Sequence, residues 1–308
     1  MNTPLKLTAF GLGLVAVFGA AVGVGNVVGP VGTAAGAAAA GEHAMGAEPA
    51  AGHDDGAAHE ASAADLPSGL AVSDRGYTLD LAERALPPGP AVPVAFRILG
   101  TDGEPVTDYI VEHEVDLHLI AVRRDLGGFQ HVHPELGTDG VWRVPLALDP
   151  GAWRLFADFT PTALGENLTL GTDVSVPGDY SAAALPAESP TTEVDGFTVV
   201  LAGSLEPGQE SELTLSVSRD GRPVTDLQPY LGAFGHLVVL RDGDLAYLHA
   251  HPVDEADGGA AASGPHVRFA TTAPSAGDYR LFLDFKHDGV VRTAAFTVTA
   301  GAHAEDHE

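Results

Sequence analysis

Short β-prone runs, each bounded by turn residues, recur along two stretches of the chain, and no amphipathic helical period of useful length interrupts them. In the first stretch the runs are Tyr77–Leu81, Val92–Ile98, Leu117–Arg123, Phe129–Val132, Val141–Leu146, Trp153–Phe159 and Leu168–Val176. In the second they are Phe197–Ala202, Glu212–Val217, His236–Arg241, Leu245–Ala250, Val267–Thr271, Tyr279–Asp284 and Val291–Val298. Roughly seven short strands per ~100 residues predicts an all-β fold of two tandem immunoglobulin-like sandwiches. Abundant Gly (38) and Pro (22) suit such turn-rich structure better than helices.

The two stretches are copies of one another. Gly103-Glu-Pro-Val-Thr-Asp108 recurs as Gly221-Arg-Pro-Val-Thr-Asp226. His118 recurs as His236, and His131-Val-His133-Pro134 as His249-Ala-His251-Pro252, all at an offset of 118 residues. Further on, Trp153-Arg-Leu-Phe-Ala-Asp-Phe159 matches Tyr279-Arg-Leu-Phe-Leu-Asp-Phe285 at an offset of 126, which places the insertion in the Gly/Ala loop Asp257–Gly264. The repeat divides the chain into a first domain over 69–178, a linker over 179–191 and a second domain over 192–301.

Local turn chemistry brings the repeated histidines together. In the second copy Asp242-Gly243 predicts a two-residue hairpin loop. Closing that loop sets His236 directly opposite His249, where facing Cβ atoms lie ~4.5–5.5 Å apart. His251, two residues on, then points to the same sheet face. A two-residue loop at Arg124-Asp125 does the same for His118, His131 and His133. Neutral imidazole suits zinc and copper, and three nitrogens leave a fourth position open. Asp158 and Asp284 hold equivalent strand positions; each is a candidate fourth ligand, or a carboxylate that orients a ligand histidine. The proposed metal sites are therefore His236, His249, His251 and Asp284 in one domain, and His118, His131, His133 and Asp158 in the other. Blander readings stand beside these. Arg154 with Asp158, and Arg280 with Asp284, are four apart on one strand face and could pair as ions, and His-x-His-Pro could cap a turn. His113, among Glu112, Glu114 and Asp116, reads as an exposed acidic strand edge, its counterpart segment being Tyr230-Leu-Gly-Ala-Phe234. His266 and His287 lack counterparts in the repeat.

The flanks predict a location. Lys6 precedes an uncharged apolar run from Leu7 to Val28, so residues 1–28 read as a signal peptide or membrane anchor with the remainder outside the cytoplasm. Residues 29–68 are mostly Ala, Gly and acidic residues with His43, His53 and His59, and read as a disordered linker. Residues 302–308 form a His/acidic tail. Acidic residues outnumber basic ones 42 to 15, for a formal charge of −27, which excludes nucleic acid as a partner. With no Cys, disulfides, thiolate metal sites and the usual blue-copper ligand set are excluded. Nucleophile motifs, phosphate-binding loops and dinucleotide fingerprints are absent, so the chain reads as non-enzymatic.

Pro229-Tyr-Leu-Gly-Ala-Phe-Gly-His-Leu-Val-Val-Leu240, followed by Tyr247-Leu-His-Ala-His-Pro252, resembles a group of actinobacterial secreted or anchored proteins of heavy-metal-binding type. More distantly, both domains resemble YtkA-like and copper-resistance periplasmic β-sandwich domains. The first domain departs from the Gly-His pattern, with Leu117 before His118. The resemblance implies extracytoplasmic handling of copper or zinc: buffering, delivery or resistance. The alternative is a non-enzymatic structural or adhesive module presented on a membrane tether.

Overall fold

Alternation of buried apolar and exposed polar side chains builds the outer sheets. Trp142–Leu148 buries every second residue, and Phe197–Ala202 does the same. In this computed structural model, residues 67–253 and 263–301 are described, and all fall within the compact unit Glu60–Glu308. The apolar N-terminal run, nearly all of the linker, most of the Gly/Ala loop and the His/acidic tail lie outside the described residues. Among the described residues no helix is long and apolar enough to cross a membrane.

The repeat folds into two immunoglobulin-like β-sandwiches with antiparallel strand pairing. The first has an outer sheet ordered Ser73–Asp74, Tyr77–Leu81, Gly89–Leu99, Trp142–Leu148, Glu135–Leu136. Its inner sheet runs Leu168–Val176, Gly151–Pro161, Leu117–Arg123, Gln130–Val132. The second has an outer sheet ordered Thr191–Val194, Phe197–Ala202, Glu210–Arg219, His266–Thr272, His251–Pro252, and an inner sheet ordered Tyr247–His249, His236–Arg241, Gly277–His287, Val290–Ala300. Each sandwich has its own core. Phe96, Trp142 and Trp153 are central to the first, and Phe197, Phe269, Phe285 and Phe296 to the second.

The inner sheets are buried on both faces. In Leu117–Arg123, Leu117, Leu119 and Ala121 enter the first core, while Ile120 and Val122 enter a third apolar cluster. In His236–Arg241, Leu237 and Val239 enter the second core, while Val238 and Leu240 enter that same third cluster. Phe156, Tyr247 and Phe282 complete it, and Phe129 stacks on Phe282 with ring centroids 4.0 Å apart. The two sandwiches therefore pack inner sheet against inner sheet. The segment before the first strand reinforces the joint. Gly69 N–H donates to the Thr169 carbonyl, and Tyr247 N–H donates to the Ser68 carbonyl, so one short stretch ties both sandwiches. Gly69 has φ +74°, and a Cβ there would lie 2.6 Å from the Phe156 ring, so only glycine fits.

The hairpin registers differ from those expected. His249 pairs with Val238 rather than His236, and His131 with Ile120 rather than His118, a two-residue shift in each copy. The Asp242-Gly243 turn is not closed as a two-residue loop. Arg241 instead closes on Ala246, the Asp244 carboxylate accepts the Ala246 N–H, and Leu245 adopts φ +63°. Leu126 adopts φ +62° in the first copy. Left-handed backbone costs a leucine ~1–2 kcal/mol. Both leucines are buried in the apolar cluster between the sandwiches, and burying a leucine side chain returns ~1.5–3 kcal/mol. Burial wins over turn propensity. Because the shift is an even number of residues, His118, His131 and His236 keep their expected sheet face.

Candidate metal centre

The inner-sheet face that joins the sandwiches is apolar along most of its length and imidazole-rich at one end. His118 continues the row of Ile120 and Val122, and lies opposite Asp158 on the neighbouring strand. His131 comes from Gln130–Val132. His133 sits where the chain leaves that strand to join the outer sheet at Glu135–Leu136. The three rings have centroids 5.2, 5.2 and 5.0 Å apart, and each offers a nitrogen within 4.8 Å of the others. Metal–nitrogen bonds of ~2.0–2.1 Å at tetrahedral angles put ligand ring centroids ~5 Å apart. The triad is therefore spaced as three ligands of one ion.

Hydrogen bonding fixes the protons. His131 Nδ1 lies 2.8 Å from Asp284 Oδ2, so Nδ1 carries the hydrogen and donates to the carboxylate. In that tautomer His131 Nε2 accepts from His118 Nδ1–H at 3.0 Å. That leaves His118 Nε2 unprotonated. It is buried with no hydrogen-bond partner, and His133 Nε2 is in the same position. Burial, reinforced by neighbouring His131, pushes the His118 pKa down to about 3 and that of His133 to about 4. Neutral imidazoles with orphaned buried nitrogens are the state a metal ligand needs. The Asp284–His131 contact is the carboxylate–histidine arrangement that orients a ligand ring. Notably, Asp284 belongs to the second sandwich and His131 to the first.

Of the two expected triads, the structure brings together His118, His131 and His133; in the second, the His249 side chain lies outside the described residues. His236 stays on its expected face, opposite Asp284. Its ring centroid lies 6.3 Å from His118 and 6.1 Å from His131, so it joins the cluster of the first sandwich. His236 Nε2–H donates to the Tyr230 carbonyl at 2.8 Å, and burial, then His131, lowers its pKa to about 4. His249 lies in the inner sheet in register with Val238. His251 does not follow it onto that face. The chain crosses between sheets at Ala250, and His251 is exposed, paired with Ala270 in the outer sheet. Among the described side chains, the repeat imidazoles His118, His131, His133 and His236 gather in one cluster at the junction, centred on the domain whose Gly-His motif is incomplete.

The aspartates also diverge. Asp284 accepts from His131 and from Thr293 Oγ1, whereas Asp158 accepts from Asn167 and Tyr247. Neither pairs with the arginine four residues before it. Arg154 bonds Asp173 and the carbonyls of Gly69 and Leu70, and Arg280 bonds Thr297. His113 is not an isolated acidic edge. It occupies a tight turn in which Glu112 and Val115 exchange both backbone hydrogen bonds, and its ring lies 5.2 Å from that of His236. Sequence reasoning discounted it because the repeat has Leu231 there, although histidine at a position the two copies do not share was itself a signal.

That turn carries strain. His113 has φ +47° and Glu114 φ +68°. The equivalent turn, Tyr230–Ala233, has Leu231 at +54° and eases its second position with Gly232 at +76°. Replacing Glu114 with glycine is expected to stabilise the protein by ~0.5–1 kcal/mol, the strain relieved outweighing the added chain entropy. A thermal melt 1–4 °C above wild type, on the order expected at this size, checks it.

No curated protein matches the chain. Among solved structures it is similar to the Escherichia coli adhesin FdeC, at 16% identity over 74% of this chain and 65% of that one, with a TM-score of 0.23. It is also similar to the Yersinia pseudotuberculosis adhesin InvE (12% identity, 73% and 58% covered, TM-score 0.22) and to the fibronectin(III)-like modules of Clostridium thermocellum CbhA (11%, 75% and 100%, TM-score 0.21). The chain spans less than two thirds of either adhesin structure. Likeness at this level says nothing of what the chain binds. A family model, in contrast, matches residues 71–180 and again 192–302. The chain belongs to the family described as "Domain of unknown function (DUF8832)".

Proposed function

We propose that the chain is an extracytoplasmic, membrane-anchored or secreted protein that binds a divalent copper or zinc ion at His118, His131 and His133. The observation that carries this reading is three mutually spaced imidazoles, two of which have a buried nitrogen lacking any partner. Nitrogen-only ligation favours Zn(II) or Cu(II) over Cu(I), and three ligands leave a position for water or a receiving protein's donor. Buffering or delivery fits such an open site. Calorimetric titration of the full chain is expected to give a tight saturable class of one ion that His133→Ala removes. An ion at 100 times its Kd should raise stability by ~2.7 kcal/mol. Absence of saturable binding and of any thermal shift with either ion defeats the proposal.

A second reading has its own support. The chain His118–His131–Asp284 is hydrogen-bonded without an ion and crosses from one sandwich to the other. The cluster would then be a fastener that sets the angle of a structural or adhesive module. Under that reading His133→Ala leaves stability unchanged with and without added metal, because His133 is outside the bonded chain.

A further inference from the structure

The triad uses one side of the imidazole cluster. On its other side lies a narrow cavity of about 40 Å³ lined by His113, His236, Glu112, His118, His131 and Asp158. That volume suits an ion with a water or two. We propose that His113 from the first sandwich and His236 from the second form a second, solvent-facing divalent-ion subsite, its remaining positions filled by water. It assumes the same ion chemistry as the triad but does not require the triad to be occupied.

Three features carry this. The His113 and His236 ring centroids are 5.2 Å apart, the separation seen within the triad and the one expected for two imidazoles on one ion. The same two rings stand 6.1 and 6.3 Å from His118, and His236 stands 6.1 Å from His131, about 1 Å too far to share the triad's ion. Next, His236 has its tautomer set. Because Nε2–H donates to the Tyr230 carbonyl, Nδ1 holds the lone pair of the neutral ring. Last, His113 is held in place by left-handed backbone that neither it nor Glu114 favours. Strain of ~1–3 kcal/mol at two adjacent non-glycine residues marks a constrained position. The second copy, with Leu231-Gly232 at the same turn, places no ligand there and keeps its strain lower. Glu112 lines the cavity wall but stays outside the set, its Oε1 accepting from Thr160 Oγ1 at 2.8 Å and its Oε2 from Asn167 Nδ2 at 3.4 Å.

His113 is exposed, His236 is buried, and both line the cavity together with His118 and His131. The pair thus stands between solvent and the triad. It would take up an ion first and hold it more weakly than the triad does.

Equilibrium dialysis of the full chain against Zn(II), with metal analysis, tests the assignment. His113→Asn removes the imidazole but suits a left-handed turn, so the fold is retained. Relative to wild type it should bind one ion fewer, lost from the weaker class, with the tighter class changed less than twofold. His236→Gln should lose the same ion. His133→Ala should lose a different one, and His113→Asn with His133→Ala should lose two. Histidines in the tail and linker are common to all five proteins and cancel in these differences. Equal zinc content in His113→Asn and wild type overturns the proposal. So does a double variant that loses no more than either single one, which would mean a single shared ion. If His133→Ala loses nothing while His113→Asn loses one ion, the triad reading fails and the subsite stands.

Discussion

Asp284→Ala is expected to weaken ion binding at the triad 10–100-fold, although Asp284 lies in the other sandwich from all three ligands. The carboxylate accepts the His131 Nδ1–H at 2.8 Å, with both side chains 4% exposed. It thereby holds the ring's orientation and keeps Nε2 available. Losing a carboxylate that orients a ligand histidine costs metal sites 10–100-fold in affinity. The same change strips Thr293 and His131 of a common acceptor. Thr293 is exposed and can turn to water, but the buried His131 N–H left unpaired costs ~1–3 kcal/mol, and a stability loss of that order accompanies the affinity loss. Asp158→Ala separates the two effects. Asp158 holds the equivalent strand position but is engaged by Asn167 and Tyr247, so its removal should destabilise the protein while leaving the triad's ion affinity within about threefold. Titrations of both variants with Zn(II), alongside urea melts, decide the matter. Equal effects of the two aspartates on ion affinity would show that Asp284 does not act through His131.

Mild acid is expected to destabilise the ion-free protein steeply between pH 7 and 5. His118 and His236 have folded-state pKa values of about 3 and about 4, below the unfolded value near 6.5, in each case chiefly because burial disfavours the cation. Such a group binds fewer protons folded than unfolded. Its contribution is neutral above pH 6.5, and the unfolded chain gains the advantage as pH falls below that value, until the folded rings also protonate near pH 3 to 4. Between pH 7 and 5 each of these two rings removes about 2 kcal/mol, with a smaller loss from partly exposed His133. A total of about 4–5 kcal/mol is a large share of the stability of an ordinary domain. The 42 carboxylates titrate mainly below this window, and relief of their mutual repulsion would act in the opposite direction. Saturating Zn(II) should hold the rings unprotonated and flatten the profile. Chemical denaturation at half-unit pH steps is the measurement. A level profile from pH 7 to 5 would show that these rings are already as solvated in the folded state as in the unfolded one.

Strand content, the duplication and the sheet face of His118, His131 and His236 were legible in the residues. Leu168–Val176 and His236–Arg241 form as expected, because β-branched and aromatic runs bounded by turn residues leave little choice. Face is a matter of parity, and it survived the register shift for His118, His131 and His236, whereas His251 crossed to the other sheet. The register itself did not follow from local chemistry. Asp242-Gly243 is a strong hairpin signal, but Leu245 found an apolar partner surface on the other sandwich and the loop reorganised around it. The runs Leu119-Ile-Ala-Val122 and Leu237-Val-Val-Leu240 did carry a hint of that surface. Strands apolar on both faces must be covered on both.

What the chain could settle by itself was therefore periodic and local: which residues become strands, which faces they turn outward, which chemistry is unavailable without cysteine. Where the imidazoles meet was decided by the docking of the two inner sheets. That contact brings Asp284 to His131 and His236 to His113 across 153 and 123 positions of sequence, respectively. No local rule encodes such pairings, since the free energy that enforces them comes from apolar area shared between domains.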